Sequence, residues 1–336
     1  MRCGPTPGAT GASGASGPVD RHTRSERGRV QGVLRHRLTF GPIMIVAAFA
    51  VFWLDELVDG IRTPRWLLDG ALPFHDTLPR GSVLFVALVG VCVLAALELA
   101  RILRQNGIDA SSRVMCGAAL IGLAVSSLVP ASAQGVTSTA IVSSSAACVL
   151  LVSLAFYSRD KTVEGVVAAT GGTLLSFVYL GLLLGFMMVI RREHSAWVLL
   201  WILLVTKSCD IGAYFTGRAI GRRKLIAWLS PGKTWEGLGG GIVTSALVGA
   251  LGVWVLNSRV LGTPDELSTG LMGGAVAGVI FGIVGQAGDL IASLLKRDAG
   301  IKDAGSALPG FGGVMDVVDS PILVAPVAYW WLTTIG

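Results

Sequence analysis

Nine apolar segments break up the chain from residue 41 onward, near 41–54, 81–100, 114–130, 136–157, 166–190, 196–216, 237–256, 270–288 and 318–335. A bilayer-crossing helix needs about 20 apolar residues. Segments this numerous and this long predict an all-α polytopic membrane protein with about nine transmembrane helices. The chain is 52% hydrophobic and only 14% charged, well below the ~25% charged residues of a soluble domain. Apolar spans exclude a soluble nucleic-acid binder, so the net charge of +6 is read through topology instead.

Residues 38–336 are expected to form one membrane domain, and residues 1–37 a basic tail. Residues 1–20 are rich in Gly, Ser, Ala, Thr and Pro and cannot bury a core, so disorder is expected. No apolar core follows a charged start, so a signal peptide is not expected. Arg21, Arg24, Arg27, Arg29, Arg35 and Arg37 then precede the first span as a topology or anionic-lipid signal. With the N-terminus placed in the cytoplasm and the segments alternating, 21 of the 27 Lys and Arg residues fall inside. Arg62, Arg65, Arg80, Arg191, Arg192 and Arg259 fall outside. That bias predicts N-terminus in and C-terminus out of the cytoplasmic (inner) membrane. Arg191 and Arg192 make one outer loop basic and fit least well. Both long polar stretches, 208–236 and 289–317, face the cytoplasm in this arrangement.

Cys3, Cys92, Cys116, Cys148 and Cys209 form no CxxC pair, and the four histidines do not cluster, so neither a zinc site nor a disulfide framework is expected. The carboxylates are more informative. If the eighth helix runs on through Arg297, then Asp289, Ser293, Lys296 and Arg297 share one face. Asp289 then lies ~12 Å inside the basic end. An ionisable group at that depth points to a site, with a salt bridge to a basic neighbour or an exposed helix end as the simpler alternative. Pro309, Gly310, Gly312 and Gly313 make a turn, after which Asp316 and Asp319 stand three residues apart in the first turns of the last helix. The helix dipole alone favours carboxylates there, but two on one face repel. A divalent cation such as Mg²⁺ removes that repulsion, with Asp289 as third ligand, and usually binds substrate phosphate as well. Lys296, Arg297 and Lys302 are placed to neutralise phosphate. The pattern suggests metal-assisted phosphoryl or nucleotidyl transfer.

Gly232-Lys233-Thr234 has the end of a P-loop, but Ala227 stands where the first glycine belongs and no strand is expected before it, so a P-loop is rejected. Asp210 ends a span, Ser230-Pro231 breaks the chain, Thr234 is placed to cap the next helix, and Lys233 in its Pro-Gly turn is read as a phosphate contact. Arg222 to Lys224 read as a solvated juxtamembrane loop.

These stretches resemble the phosphatidate cytidylyltransferase (CDP-diacylglycerol synthase) family. Its signature, S-x-x-K-R-x4-K-D-x-G and then P-G-H-G-G-x-x-D-R-x-D, is matched by Ser293, Lys296, Arg297, Lys302, Asp303 and Gly305, and by Pro309, Gly310, Gly312, Gly313, Asp316 and Asp319. DIGAYFTGRAIGRRKL and SPGKTWEG resemble two further family segments. Phe311 replaces the usual histidine, Val317 an arginine and Gly232 a lysine.

The resemblance implies CMP transfer from CTP to phosphatidic acid, giving CDP-diacylglycerol and pyrophosphate. It implies one or two Mg²⁺ ions, or one with a second monovalent or divalent cation, on Asp289, Asp316 and Asp319, with Lys296 catalytic. Substrate contacts are then expected from Asp210, Ser230, Lys233, Ser293, Arg297, Lys302 and Asp303. Partners are CTP, phosphatidic acid and bilayer lipids, with a homodimer left open. A CTP-dependent enzyme for another lipid phosphate or a polyprenol, or a non-catalytic relative or transporter, stands as the alternative.

Overall fold

The computed structural model describes residues 41–59, 78–128, 135–159, 163–258, 267–305 and 312–336, with Gly4, Ile61 and Leu308. The basic tail and Pro309 to Phe311 lie outside the described residues. Nine helices are present among the described residues, and each overlaps one apolar segment. They are α1 (Gly41–Val58), α2 (Ser82–Gln105), α3 (Ser112–Leu128), α4 (Gly135–Ser158), α5 (Val166–Glu193), α6 (Ala196–Ile220), α7 (Trp235–Leu256), α8 (Leu271–Asp298) and α9 (Met315–Thr334). Seven are long and apolar enough to cross a membrane, and Ser112–Ser127 is a shorter apolar helix. Helix α9 has 20 residues and carries Asp316, Asp319, Pro321 and Pro326. The chain is therefore a polytopic helical membrane protein; among the described residues its strands form one hairpin, β1 (Lys224–Ile226) with β2 (Ser230–Thr234).

Two helices run further than their apolar stretches. Helix α6 continues to Ile220 and α8 to Asp298, so the two polar connections shrink to 221–234 and 299–314. Helix α5 is irregular at Ser176–Leu182, where one π-helical turn interrupts it. Ser176 there donates to the carbonyl of Met115 at 3.0 Å, tying the turn to α3.

Successive helices reverse direction, and contacts at the two ends confirm which turns lie together. At one end Asn106 Nδ2, just after α2, donates to Asp298 Oδ2 at the close of α8, 2.5 Å away. At the other, the backbone N–H of Ser268 donates to the carbonyl of Gly336 at 3.0 Å. Between them Trp201, Phe281 and Trp331 pack together with centroids 5.9–6.1 Å apart, joining α6, α8 and α9.

The basic pair Arg191 and Arg192, which fits the predicted topology least well, has a structural explanation. Arg191 is fully buried and binds Asp55 Oδ2 at 2.5 Å and Asp59 Oδ2 at 2.7 Å, with Glu56 Oε2 at 3.4 Å. Arg192 donates to the Ser127 carbonyl at 2.7 Å. These arginines are structural ties rather than loop charges. The acids of α1 also accept from the backbone N–H groups of Leu84 and Ala196, 2.9 and 2.8 Å away. Helix α1, whose span is only 11% buried, is thus held to the bundle mainly by its polar end. Removing one partner of a buried ion pair costs about 3–5 kcal/mol. Arg191→Met is expected to lower the unfolding midpoint in detergent by that order, with Arg191→Lys in between. An unchanged midpoint would refute the clamp.

Candidate active site

Four elements converge at the end of the bundle that carries the hairpin. Helix α6 contributes Lys207 and Asp210, α8 Gln286 and Asp289, α9 Asp316 and Asp319, and the hairpin Ser230, Gly232 and Lys233; these line a cavity of about 400 Å³. The hairpin pairs Lys224 with Thr234 and Ile226 with Ser230. Glu236 fixes it by accepting from the backbone N–H groups of Arg222 and Arg223 at 3.1 Å. The expected Pro-Gly turn at Lys233 is instead a strand. It runs straight into α7, where Thr234 caps the helix by accepting from the Gly237 N–H at 3.1 Å, as its position predicted.

Lys233 Nζ lies 2.7 Å from Asp289 Oδ2 and 3.5 Å from the carbonyl of Gln286. Gln286 Nε2 donates to Asp210 Oδ1 at 2.7 Å. Lys207 Nζ bridges Asp210 Oδ2 and Asp319 Oδ1, 3.5 Å from each. Asp319 Oδ1 also accepts from the Ser320 N–H at 2.6 Å. Asp289 and Asp319 line this cavity together from the neighbouring helices α8 and α9.

The approach of these two helices depends on Gly288. A Cβ there would lie 2.6 Å from the Asp319 carbonyl oxygen and 3.0 Å from Ser320 Cα. Only the bare backbone lets α8 meet α9 so closely, and it does so one residue before Asp289.

Asp316 behaves differently from the other two members of the expected metal triad. One oxygen takes Lys296 Nζ at 2.6 Å; the other accepts from the N–H groups of Ala304 and Gly313 at 3.0 and 2.7 Å. Both oxygens are committed to closing the 299–314 connection. Among the described residues no three His, Cys, Asp or Glu side chains stand close enough to hold a metal ion. Asp289 and Asp319 do suit a divalent cation, being oxygen donors facing one another in a polar cavity. Lys296 is buried and reaches the site through its ion pair with Asp316.

The remaining expected substrate contacts stand apart. Ser293, Arg297, Lys302 and Asp303 do not line the cavity. Arg297 donates to the Ile301 carbonyl at 3.2 Å, and Lys302 and Asp303 are exposed. Arg297 closes the end of α8, and Lys302 and Asp303 lie beyond it in the 299–314 connection.

Three residues of this region escaped the sequence reading. Lys207 and Gln286 line the cavity, and Glu98 on α2 organises its wall. Glu98 is buried and accepts from the N–H groups of Val314 and Met315 at 2.9 and 2.8 Å, capping α9 from 216 residues away. A polar or charged residue inside an apolar span is the signal that marks all three.

A cytidylyltransferase family model matches residues 71–335, which is most of the chain. The chain belongs to the cytidylyltransferase family. The phosphatidate cytidylyltransferase of Haemophilus influenzae is 38% identical over 133 residues, covering 40% of this chain and 44% of its own length. That of Bacillus subtilis is 34% identical over 160 residues, 47% of this chain and 56% of its own. The uncharacterized protein YnbB of Escherichia coli is 37% identical over 160 residues, 44% of this chain and 50% of its own. The chain thus spans about half the length of the curated relatives it matches. Of its departures from the cytidylyltransferase signature, Gly232 stands at the cavity with nothing within 4 Å of where a Cβ would be. Val317 is half-buried beside Asp316, and Phe311 lies outside the described residues.

Removal of Glu98 should loosen the start of α9. A hydrogen bond to a charged group contributes about 1.5–3 kcal/mol. Glu98→Ala is expected to speed amide exchange at Val314 and Met315 by at least about tenfold, with Glu98→Gln intermediate. Equal exchange in all three proteins would show that the cap does not hold α9.

Proposed function

We propose that this protein transfers CMP from CTP to phosphatidic acid, giving CDP-diacylglycerol and pyrophosphate at the cytoplasmic face of the inner membrane. The observation that carries the reading is the facing pair Asp289 and Asp319, flanked by Lys207 and Lys233, in a cavity at the end of a helical bundle of this family. Relatives over about half their length carry the name phosphatidate cytidylyltransferase, and this substrate pair is carried over from them.

A phosphate oxygen of phosphatidic acid attacks the α-phosphorus of CTP. A new P–O bond forms there, and the bond from the α-phosphorus to the bridging oxygen breaks, so pyrophosphate leaves with that electron pair. The lipid phosphate is already ionised near neutral pH, so no side chain has to remove a proton. Phe311 in place of histidine is compatible with that requirement.

Lys233 and Lys207 each bind a carboxylate in the free protein and are placed to exchange it for substrate phosphate. Asp210, held by Gln286, orients Lys207. Ser230 offers a hydroxyl at the cavity wall. Asp289 and Asp319 would hold Mg²⁺, which when bound supplies charge neutralisation for the triphosphate. Asp316 and Lys296 tie Ala304 and Gly313 of the 299–314 connection to the start of α9. Asp316 is a positioning residue in this reading, not a primary metal ligand.

Membranes containing Asp289→Asn or Asp319→Asn are expected to lose CTP-dependent CDP-diacylglycerol formation by about 100-fold or more. Excess chelator should remove the wild-type activity, and added Mg²⁺ should restore it. Gly288→Ala should cost on the order of 100-fold while the protein remains folded, because a displacement of about 1 Å suffices for such a loss. Full activity of Asp319→Asn would sink the assignment. Product from another lipid phosphate but none from phosphatidic acid would replace the substrate.

A further inference from the structure

A second cavity, of about 530 Å³, opens at the same end of the bundle between the α2–α3 turn and the α4–α5 turn. It shares no lining residue with the carboxylate cavity. Three arginines reach it from three directions: Arg104 at the close of α2, Arg113 in the first turn of α3, and Arg159 just after α4. The Arg159 guanidinium carbon sits 3.9 Å over the Phe156 ring centroid. Asp109 and Glu164 line the same cavity, yet among the described residues neither Arg104 nor Arg113 has a carboxylate within ion-pair distance. Tyr157 ties the two turns together: its hydroxyl accepts from the Ser111 N–H at 3.0 Å and meets Thr173 Oγ1 at 3.3 Å.

Two helix starts open into this space. Gly165, at φ 76°, precedes α5 and has no side chain to cap it. Helix α3 starts beside it at Ser112. Surplus guanidinium charge next to helix N-termini recognises an oxyanion with several acceptor oxygens. The apolar surroundings narrow the choice of anion. Leu151 and Val152 on α4 and Val167 on α5 are 65%, 59% and 79% exposed, and α4 is only 11% buried over its span. An acyl chain can lie along these faces while its headgroup occupies the cavity, an arrangement useless to a free ion.

We propose that this cavity binds the phosphate of an anionic phospholipid, at a site separate from the carboxylate cavity. Arg104 and Arg113 make the ionic contacts, and Arg159 closes the rim over Phe156. A basic residue at the membrane surface contributes about 1 kcal/mol toward an anionic lipid. Loss of two should therefore weaken retention ~30-fold.

The test uses the full-length protein in phosphatidylcholine nanodiscs titrated with phosphatidylglycerol, which is not a phosphomonoester substrate. Bound lipid is counted by native mass spectrometry. Wild type and Asp289→Asn/Asp319→Asn are expected to retain phosphatidylglycerol equally. Arg104→Gln/Arg113→Gln should lose it ~30-fold, and Arg104→Lys/Arg113→Lys should keep most of it, which separates charge loss from misfolding. In a parallel arm, inorganic phosphate is added to the lipid-free detergent-solubilised protein and its thermal shift recorded. An arginine-dependent shift with phosphate, and no arginine-dependent lipid retention, would overturn the lipid assignment in favour of a free anion. Equal retention by the glutamine pair, or loss only in the aspartate pair, would overturn the site.

Discussion

An ionised side chain inside an apolar helix bundle has to be paired, because a charge at the centre of a membrane helix costs about 2.5–3.5 kcal/mol even on the mildest scale. That constraint organises both ends of this protein. Arg191 meets Asp55, Asp59 and Glu56, Lys296 meets Asp316, Lys233 meets Asp289, and Lys207 spans Asp210 and Asp319. Exposure separates a clamp from a site. Arg191 and Asp55 have no exposed side-chain surface, whereas Lys207 is 36% and Asp289 30% exposed. A pair sealed from water has no route for exchange. A pair with both members partly exposed can trade its partner for a ligand, and the Lys207 and Lys233 pairs border one cavity.

The geometry of that cavity follows from two antiparallel helices meeting at a glycine. Gly288 brings the α8 backbone against Asp319, which sets Asp289 opposite Asp319. Further out on α8, Lys296 is opposite Asp316. The spacings differ: seven residues on α8 rise ~10.5 Å, and three on α9 rise ~4.5 Å. The Lys296 side chain makes up the difference by reaching back along its helix, as long basic side chains do at membrane ends. The same pair of helices therefore carries both the carboxylate pair and the Lys296–Asp316 ion pair.

Helix number and order were legible because apolar length is a one-dimensional property, and every apolar segment became a helix. The extension of α8 through Arg297 was also legible from the absence of proline. Which charges meet was not. Periodicity placed Asp289 and Lys296 on one face of α8, but it says nothing about the neighbour that face meets. Asp316 thus entered as a metal ligand and emerged bound to Lys296 and two backbone N–H groups. Glu98 caps α9 across 216 residues, and no local pattern encodes such a contact. The simpler alternative for Asp289, a salt bridge to a basic neighbour, is met by Lys233, and the same pair lines the cavity. In this site the ion pair and the candidate binding position are one feature.

The charge balance of the cavity carries its own implication. Lys296 offsets Asp316 at the cavity wall, so Lys207 and Lys233 are left to face Asp210, Asp289 and Asp319. Carboxylates outnumber cations, yet the proposed nucleotide brings further negative charge. The family pattern would add a lysine at 232 and an arginine at 317, and this chain has Gly232 and Val317 instead. Lys207 alone cannot replace both, since it already divides its charge between two aspartates at 3.5 Å. A triphosphate can enter such a cavity only together with cations that join it to the carboxylates. Under the proposed function the departures would leave this electrostatic work to metal ions, and they leave Asp289, Asp319 and Gly288 unchanged.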